Sequence, residues 1–340
     1  MDQLGRAAFR CGGARYTLAD AILASAPSGA WEGVERRLRE GAACEARAQA
    51  SGDPLDKGEV EAELREFRYA RRLISAEEAE EWLKAWELDL EAWEAAVRRN
   101  LLRSRWADSL DATVARYSPS EEALAGMAWA DLVCSGDLTR LVRDLAERAA
   151  VVRADDGTDP HSPTPAVVPR LPEWLGLGNL DGERVRHLAA LEARFRQRRR
   201  QELTAETITA AVGARPLDWT RVEVHRLALP EEPQAAEAAL RVRVDGEGLA
   251  DVAAELGRPV ERWIRFLDDL DADLRSRVLS TREGELLGPL RAEDGHALLL
   301  VVARHPPRAD DPVVRAYAEE RLWRGVVDRA LESVRWEAPG

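Results

Sequence analysis

Apolar positions recur at helical spacing through most of residues 18–203, and the pattern switches to alternation after Trp219. Ahead of the helical part, A-F-R-C-G-G-A-R-Y-T at 7–16 reads as two short strands around a Gly-Gly turn. L-A-D-A-I-L-A then reads as a short amphipathic helix, and a second helix runs from Trp31 to about Ala50, where S-G-D-P stops it. Within 57–105, Val60, Leu64, Phe67 and Leu73 fall near one helical face. Ser75 with Glu78 three residues later forms a capping-box pattern that starts a new helix. Trp82, Leu83, Trp86, Trp93, Val97 and Leu101 are expected to share a core, with Glu and Arg on the opposite face. S-P-S-E-E-A-L and S-G-D-L-T-R-L-V-R-D-L open two further helices, the second capped by Ser135 or Asp137. Residues 153–172, rich in Pro, Asp, Ser and Thr, read as a linker, and helix returns at 181–203.

From Trp219 onward R-V-E-V-H-R-L-A-L alternates as a strand does and is stopped by Pro230. A helix over 231–244, a D-G-E-G turn and a helix at L-A-D-V-A-A-E-L follow. The run 261–280, E-R-W-I-R-F-L-D-D-L-D-A-D-L-R-S-R-V-L-S, is expected to be helical. Gly284 suits a helix end, and Gly288-Pro289 turns the chain into a buried strand at A-L-L-L-V-V-A-R. Residues 311–332 predict a last amphipathic helix and E-S-V-R-W-E a last strand. The fold class expected is α+β, mostly helical.

Composition narrows the function. A length of 340 residues allows two domains, or three if one is small. A net charge of −13 argues against nucleic acid as a partner, because nothing offsets phosphate repulsion. Cys11, Cys44 and Cys134 are odd in number and far apart, so no disulfide framework or C-x-x-C knuckle is expected. No apolar run has signal-peptide or membrane-span length, which predicts a cytoplasmic protein without membrane insertion. Eleven tryptophans against four tyrosines and four phenylalanines suit a Trp-built core or a peptide groove anchored by Trp. The basic run R-F-R-Q-R-R-R suits a solvated helix face or an anionic partner. No metal site and no cofactor are expected: Asp268–Asp273 lacks the glycine and terminal glutamate of a calcium loop, and His161 and His187 lack partners at ligand spacing. G-x-S-x-G, Walker and dinucleotide fingerprints are absent, and G-L-G-N-L-D-G at 176–182 reads as a turn.

The order of motifs in the last third is more specific than any one of them. V-E-V-H-R-L with His225, then D-G-E-G-L-A-D-V-A at Asp245–Ala253, then G-E-L-L-G-P-L before the last apolar strand, together resemble the parvulin (PpiC-type) peptidyl-prolyl isomerase domain over about 219–305. The segment from Phe67 to Leu102 resembles the N-terminal helices of SurA-type foldases. It is also similar to bacterial parvulin-like proteins linked to peptide maturation and export. The resemblance implies a SurA-like helical chaperone lobe over 1–150, a linker and helical insert over 151–218, and a parvulin-like α+β domain over 219–308. It further implies a C-terminal helix and strand over 309–340 that pack back on the first lobe.

The chain departs from the family pattern where catalysis would lie. G-R-P-V-E-R-W-I-R-F-L-D-D-L takes the place of the serine-containing loop, its Cys or Asp, and the Gly-Gly turn. The second family histidine falls at Ala297, or one residue off at His296. No catalytic residue is therefore assigned; were the chain an isomerase, His225 and His296 would be the pair under the twisted amide, and otherwise they are a strand-end and a turn histidine. Prolyl isomerisation needs a pocket that lowers amide conjugation and no nucleophile. The expected function is non-catalytic binding of a precursor or unfolded peptide, held for modifying enzymes or export as in ribosomal peptide natural-product maturation. An active isomerase or general chaperone is the alternative. The peptide-binding residues expected are His225, Leu227, Trp263, Phe266 and Leu287, with Trp263 and Phe266 either filling the old active site or lining a new groove.

Overall fold

A computed structural model describes residues 3–52, 55–154, 171–177 and 182–337. The expected linker therefore lies, over 155–170, outside the described residues, as do His161 and most of the 176–182 turn. The fold is α+β and mostly helical. Its chain divides into two compact units, Met1–Arg200 with Gly325–Gly340, and Gln201–Arg324. Among the described residues no helix is long and apolar enough to cross a membrane.

The first unit starts with the hairpin β1 (Ala7–Cys11) and β2 (Ala14–Thr17). Gly12 and Gly13 turn it at φ +60° and +83°, values that glycine reaches without a Cβ clash. Thr17 and Asp20 close a capping box that starts α1 (Leu18–Ser28). Then follow α2 (Ala30–Ser51), α3 (Lys57–Ala70), α4 (Ala76–Ala85), α5 (Leu90–Arg105), α6 (Leu110–Arg116), α7 (Glu121–Cys134), α8 (Asp137–Ala154) and α9 (Gly182–Glu202). Asp56 and Ser75 cap α3 and α4 with reciprocal boxes, so local signals set these starts. Trp86, Trp93 and Val97 enter the core as expected, but Leu102 rather than Leu101 is the fully buried leucine of α5. Leu102 joins Cys44 and Ala48 of α2, which fixes the helix rotation by one position.

The last strand, β7 (Val334–Trp336), pairs antiparallel with β1, which lies between β2 and β7. Phe9, fully buried, stacks on Tyr16 at 4.8 Å and meets Trp336 at 5.9 Å. The Glu337 amide donates to the Ala8 carbonyl at 2.9 Å. Charge holds the helices as well as apolar burial. Arg99 of α5, only 6% exposed, forks onto Asp131 of α7 at 2.9–3.1 Å and reaches Glu45 of α2 at 3.2 Å. Arg37 pairs with Asp137 at 2.8 Å and Arg103 with Glu40 at 2.9 Å.

The second unit holds α10 (Ala205–Ala214), β3 (Arg221–Leu229), α11 (Glu232–Arg243), α12 (Leu249–Glu255), β4 (Val260–Phe266), α13 (Ala272–Ser280), β5 (Leu286–Ala292), β6 (Gly295–His305) and most of α14 (Pro312–Leu331). Two stretches differ from what their sequence predicts. Residues 261–280 are not one helix: β4 occupies 260–266, a 3-10 turn Leu267–Asp269, and α13 only 272–280. V-E-R-W-I-R-F carries strand formers, and pairing with β3 outweighs the helical spacing of Trp263, Leu267 and Leu270. Likewise L-L-G-P-L is strand, not turn: Gly288 and Pro289 sit in a register shift of β5 against β6. Gly288, at φ +116°, brings the backbone so close to β6 that a Cβ would lie 2.7 Å from the Ala297 carbonyl oxygen. Gly284 lies beyond the end of α13, and its amide donates to the Val301 carbonyl at 2.8 Å.

Removing Arg99 leaves Asp131 and Glu45 facing each other in the helical core. Arg99→Met is expected to cost about 3–5 kcal/mol in equilibrium urea unfolding, the penalty of an uncompensated buried charge. Arg39→Met, which loses the half-exposed i,i+4 pair with Glu35 on one helix face, is expected to change stability by about 1 kcal/mol or less.

Candidate functional site

The four-stranded sheet runs β4-β3-β6-β5, antiparallel throughout. Directly paired residues share a face and successive residues alternate, so β3 sorts its neighbours. On one face Val222 and Val224 lie with Trp263, Val301 and Leu287 beneath Leu267, Leu274 and Val278. The other face is covered at its two ends by different helices. Leu227 and Leu229, with Val260, Leu286, Leu298 and Leu300, lie under α11 and α12. At the far end Phe266 stacks on Tyr317 of α14 at 3.7 Å, with Trp219, Ile208 and Val212 around them.

Between these two covered ends, outside both clusters, runs a strip built from Glu223 and His225 of β3 and His305 of β6, all half-buried, and Arg262 and Ile264 of β4, both exposed. Register places His225 opposite Arg262 and Leu300, and Glu223 opposite Ile264. Ile264 is 43% exposed. The Arg262 Nε donates to Glu223 at 2.6 Å, and the His305 Nε2 lies 3.3 Å from the other Glu223 oxygen. The hydrogen bond from Arg262 holds the Glu223 carboxyl below its ordinary value, the His305 contact adding to it against some desolvation. The strip thus offers an apolar side chain, a fixed carboxylate and two imidazoles on a rigid sheet. That arrangement can bind an extended backbone and its side chains. Among the described residues, no group of three or more His, Cys, Asp or Glu side chains is placed to hold a metal ion.

The residues predicted from sequence do not gather here as one set. His225 stands at the centre of the strip, half-buried. His296 shares its face but pairs with Leu229, four positions along the ladder, which is about 13 Å away. The two imidazoles therefore do not form a pair beneath one ligand, and the His296 Nδ1 is enclosed without a hydrogen-bond partner among the described residues. Leu227 is fully buried under α11 and α12. Trp263 and Leu287 lie on the opposite face, packed toward α13. Phe266 shares the strip's face, but Tyr317 covers it. Conversely, Glu223, Arg262, Ile264 and His305 were missed. Alternation in R-V-E-V-H-R-L already put Glu223 beside His225; the helical reading of β4 hid Arg262 and Ile264. Asp268, Asp269 and Asp271 act locally: they bond Arg275, the Tyr317 hydroxyl and the Leu274 amide, respectively.

No family model matches the chain, and no curated protein sequence matches it. Among solved structures, PrsA from Bacillus subtilis is similar at 13% identity and a TM-score of 0.23, over 61% of this chain and 85% of that one. A superposition that loose assigns no function, so the sheet itself must carry the reading.

The Arg262–Glu223 contact has a titration signature. Because the carboxyl is depressed in the folded chain, its contribution to stability is complete above the ordinary glutamate value of 4.5 and is lost as pH falls through the folded one. Arg262→Gln is expected to return the Glu223 titration, followed by carbon NMR of the carboxyl, toward that ordinary value. An unmoved midpoint would assign the depression to another group.

Proposed function

We propose that this chain is a non-catalytic peptide-binding protein whose second unit holds an extended stretch of a precursor or unfolded polypeptide. The strip of sheet between two helix-covered ends carries this reading. Its floor is rigid main-chain ladder, and its side chains are few, polar and fixed, which suits an extended backbone better than a small molecule. The parvulin-like order of motifs agrees with a polypeptide ligand. So does the replacement of the family's catalytic loop by β4, which favours holding over isomerising. In this reading the ligand is a ribosomally made precursor held in the cytoplasm for modifying enzymes or an exporter.

An active prolyl isomerase is the second reading, favoured by the single observation that His225 occupies the centre of the strip. The wide separation of His225 from His296 speaks against a paired-imidazole pocket.

Titration calorimetry with a carboxymethylated, permanently unfolded protein and with any short precursor peptide found encoded beside this gene is expected to show binding to at least one. A protease-coupled assay on X-Pro peptides is expected to show no acceleration. Absence of binding to every extended polypeptide sinks the proposal. Acceleration that disappears in His225→Ala would replace it with the isomerase.

A further inference from the structure

The two edges of the four-stranded sheet are treated differently. On the outer edge of β5, Pro289 has no N–H to offer and the register shifts between Leu287 and Leu290. The Arg243 guanidinium donates to the carbonyls of Leu286, at 3.0 Å, and Gly288. That edge is closed by the usual devices that stop a further strand from adding.

β4 lacks the proline, the register shift and the side-chain cover of β5, and only its exposed charges, Glu261, Arg262 and Arg265, line the edge. It pairs with β3 over seven consecutive positions without a shift and contains no proline. Among the described residues, no side chain hydrogen-bonds to the backbone of 260–266. The Leu267 amide donates to the Thr220 carbonyl at 2.9 Å, which sets the parity of the β3–β4 ladder. Counting back in alternation, 261, 263 and 265 bond inward to β3, and the N–H and C=O groups of Arg262 and Ile264 point outward. β4 ends the strand order and Glu261, Arg262, Ile264 and Arg265 are all exposed, so among the described residues no further strand pairs with these outward groups.

The side chains along that edge state what it would accept. Glu261 is tied to Arg226 at 2.8 Å and Arg262 to Glu223 at 2.6 Å, both across the ladder to β3. Neither stands guard over the edge. Arg265 lies only against the Trp263 ring, 5.3 Å from its centroid, with no carboxylate partner among the described residues. Ile264 is left apolar and exposed on the face of the strip, and Arg265 cationic on the other. Consecutive residues of an added strand would meet these two in turn.

We propose that the edge of β4 takes up an extended peptide as a fifth strand, with an apolar side chain beside Ile264 and an acidic neighbour beside Arg265. This deepens the peptide-binding reading and rests on it. Main-chain hydrogen bonds from Arg262 and Ile264 supply affinity, and the apolar-acidic alternation supplies selectivity. The occupant is thus an acidic, β-prone stretch of polypeptide.

Fluorescence polarisation of labelled Val-Glu and Val-Lys hexapeptide repeats on the whole 340-residue chain tests this. The Val-Glu peptide is expected to bind about fivefold more tightly than the Val-Lys peptide. Arg265→Glu should reverse that order. Ile264→Pro, which removes one outward N–H, is expected to weaken binding about tenfold, while Ile264→Val stays within about twofold. N-methylation of the peptide valines, whose amides face β4, should abolish binding with no change to the protein at all. Circular dichroism of each variant separates lost binding from lost folding, and N-methylated peptides avoid that issue. Binding of unfolded polypeptide that ignores N-methylation and the Arg265 charge would overturn strand addition and leave the peptide-binding reading intact. Failure of the unfolded protein, the precursor and both hexapeptides to bind would overturn both.

Discussion

The second unit depends on the main-chain ladder of β3. This strand bonds β6 on one side and β4 on the other, and its alternation decides which side chains share a surface. Val222 and Val224 are committed to one core, Leu227 and Leu229 to another. What remains between the two covered ends of the second face is the strip with Glu223 and His225. The candidate site is therefore a consequence of two helix pairs stopping short of each other along one sheet face. A one-residue slip of β3 would exchange the faces and dissolve both cores together.

The helical unit is held differently. Its α2, α5 and α7 meet around Arg99, Asp131 and Glu45, a buried cation bracketed by two carboxylates. Such a group is costly to bury and costlier to break, so losing one partner destabilises more than the intact group stabilises. The terminal strand β7 completes a small sheet with β1, where Phe9, Tyr16 and Trp336 close the contact. Tryptophan accordingly serves packing in this unit: Trp86 and Trp93 are core residues.

Much of the fold was legible in the residues. Capping boxes at Ser75 and glycine turns at Gly12–Gly13 act over three or four positions, so they survive any tertiary context. The β3 alternation and the apolar run of β6 were equally plain. β4 was not, because V-E-R-W-I-R-F satisfies a helical and an extended reading about equally well. β5 was hidden by its own Gly-Pro, which reads as a turn until β6 supplies a partner for the rest of the strand. The candidate site inherited these errors. Trp263 and Phe266 share the segment that takes the place of the family's loop, but odd-spaced positions on a strand face opposite ways, and His225 and His296 share a motif order but not a ladder position.

Local signals in the chain specify most of the helices, many element starts, the hairpin and the central strand that carries His225. Those depend on propensity, capping and periodicity, which are local. Long-range pairing makes β4 a strand, brings Glu223 to Arg262 and His305, covers Leu227, and leaves β4 without a further strand among the described residues while β5 is closed. Those depend on which backbone groups find partners from distant positions, and no local pattern encodes the free energy of that pairing.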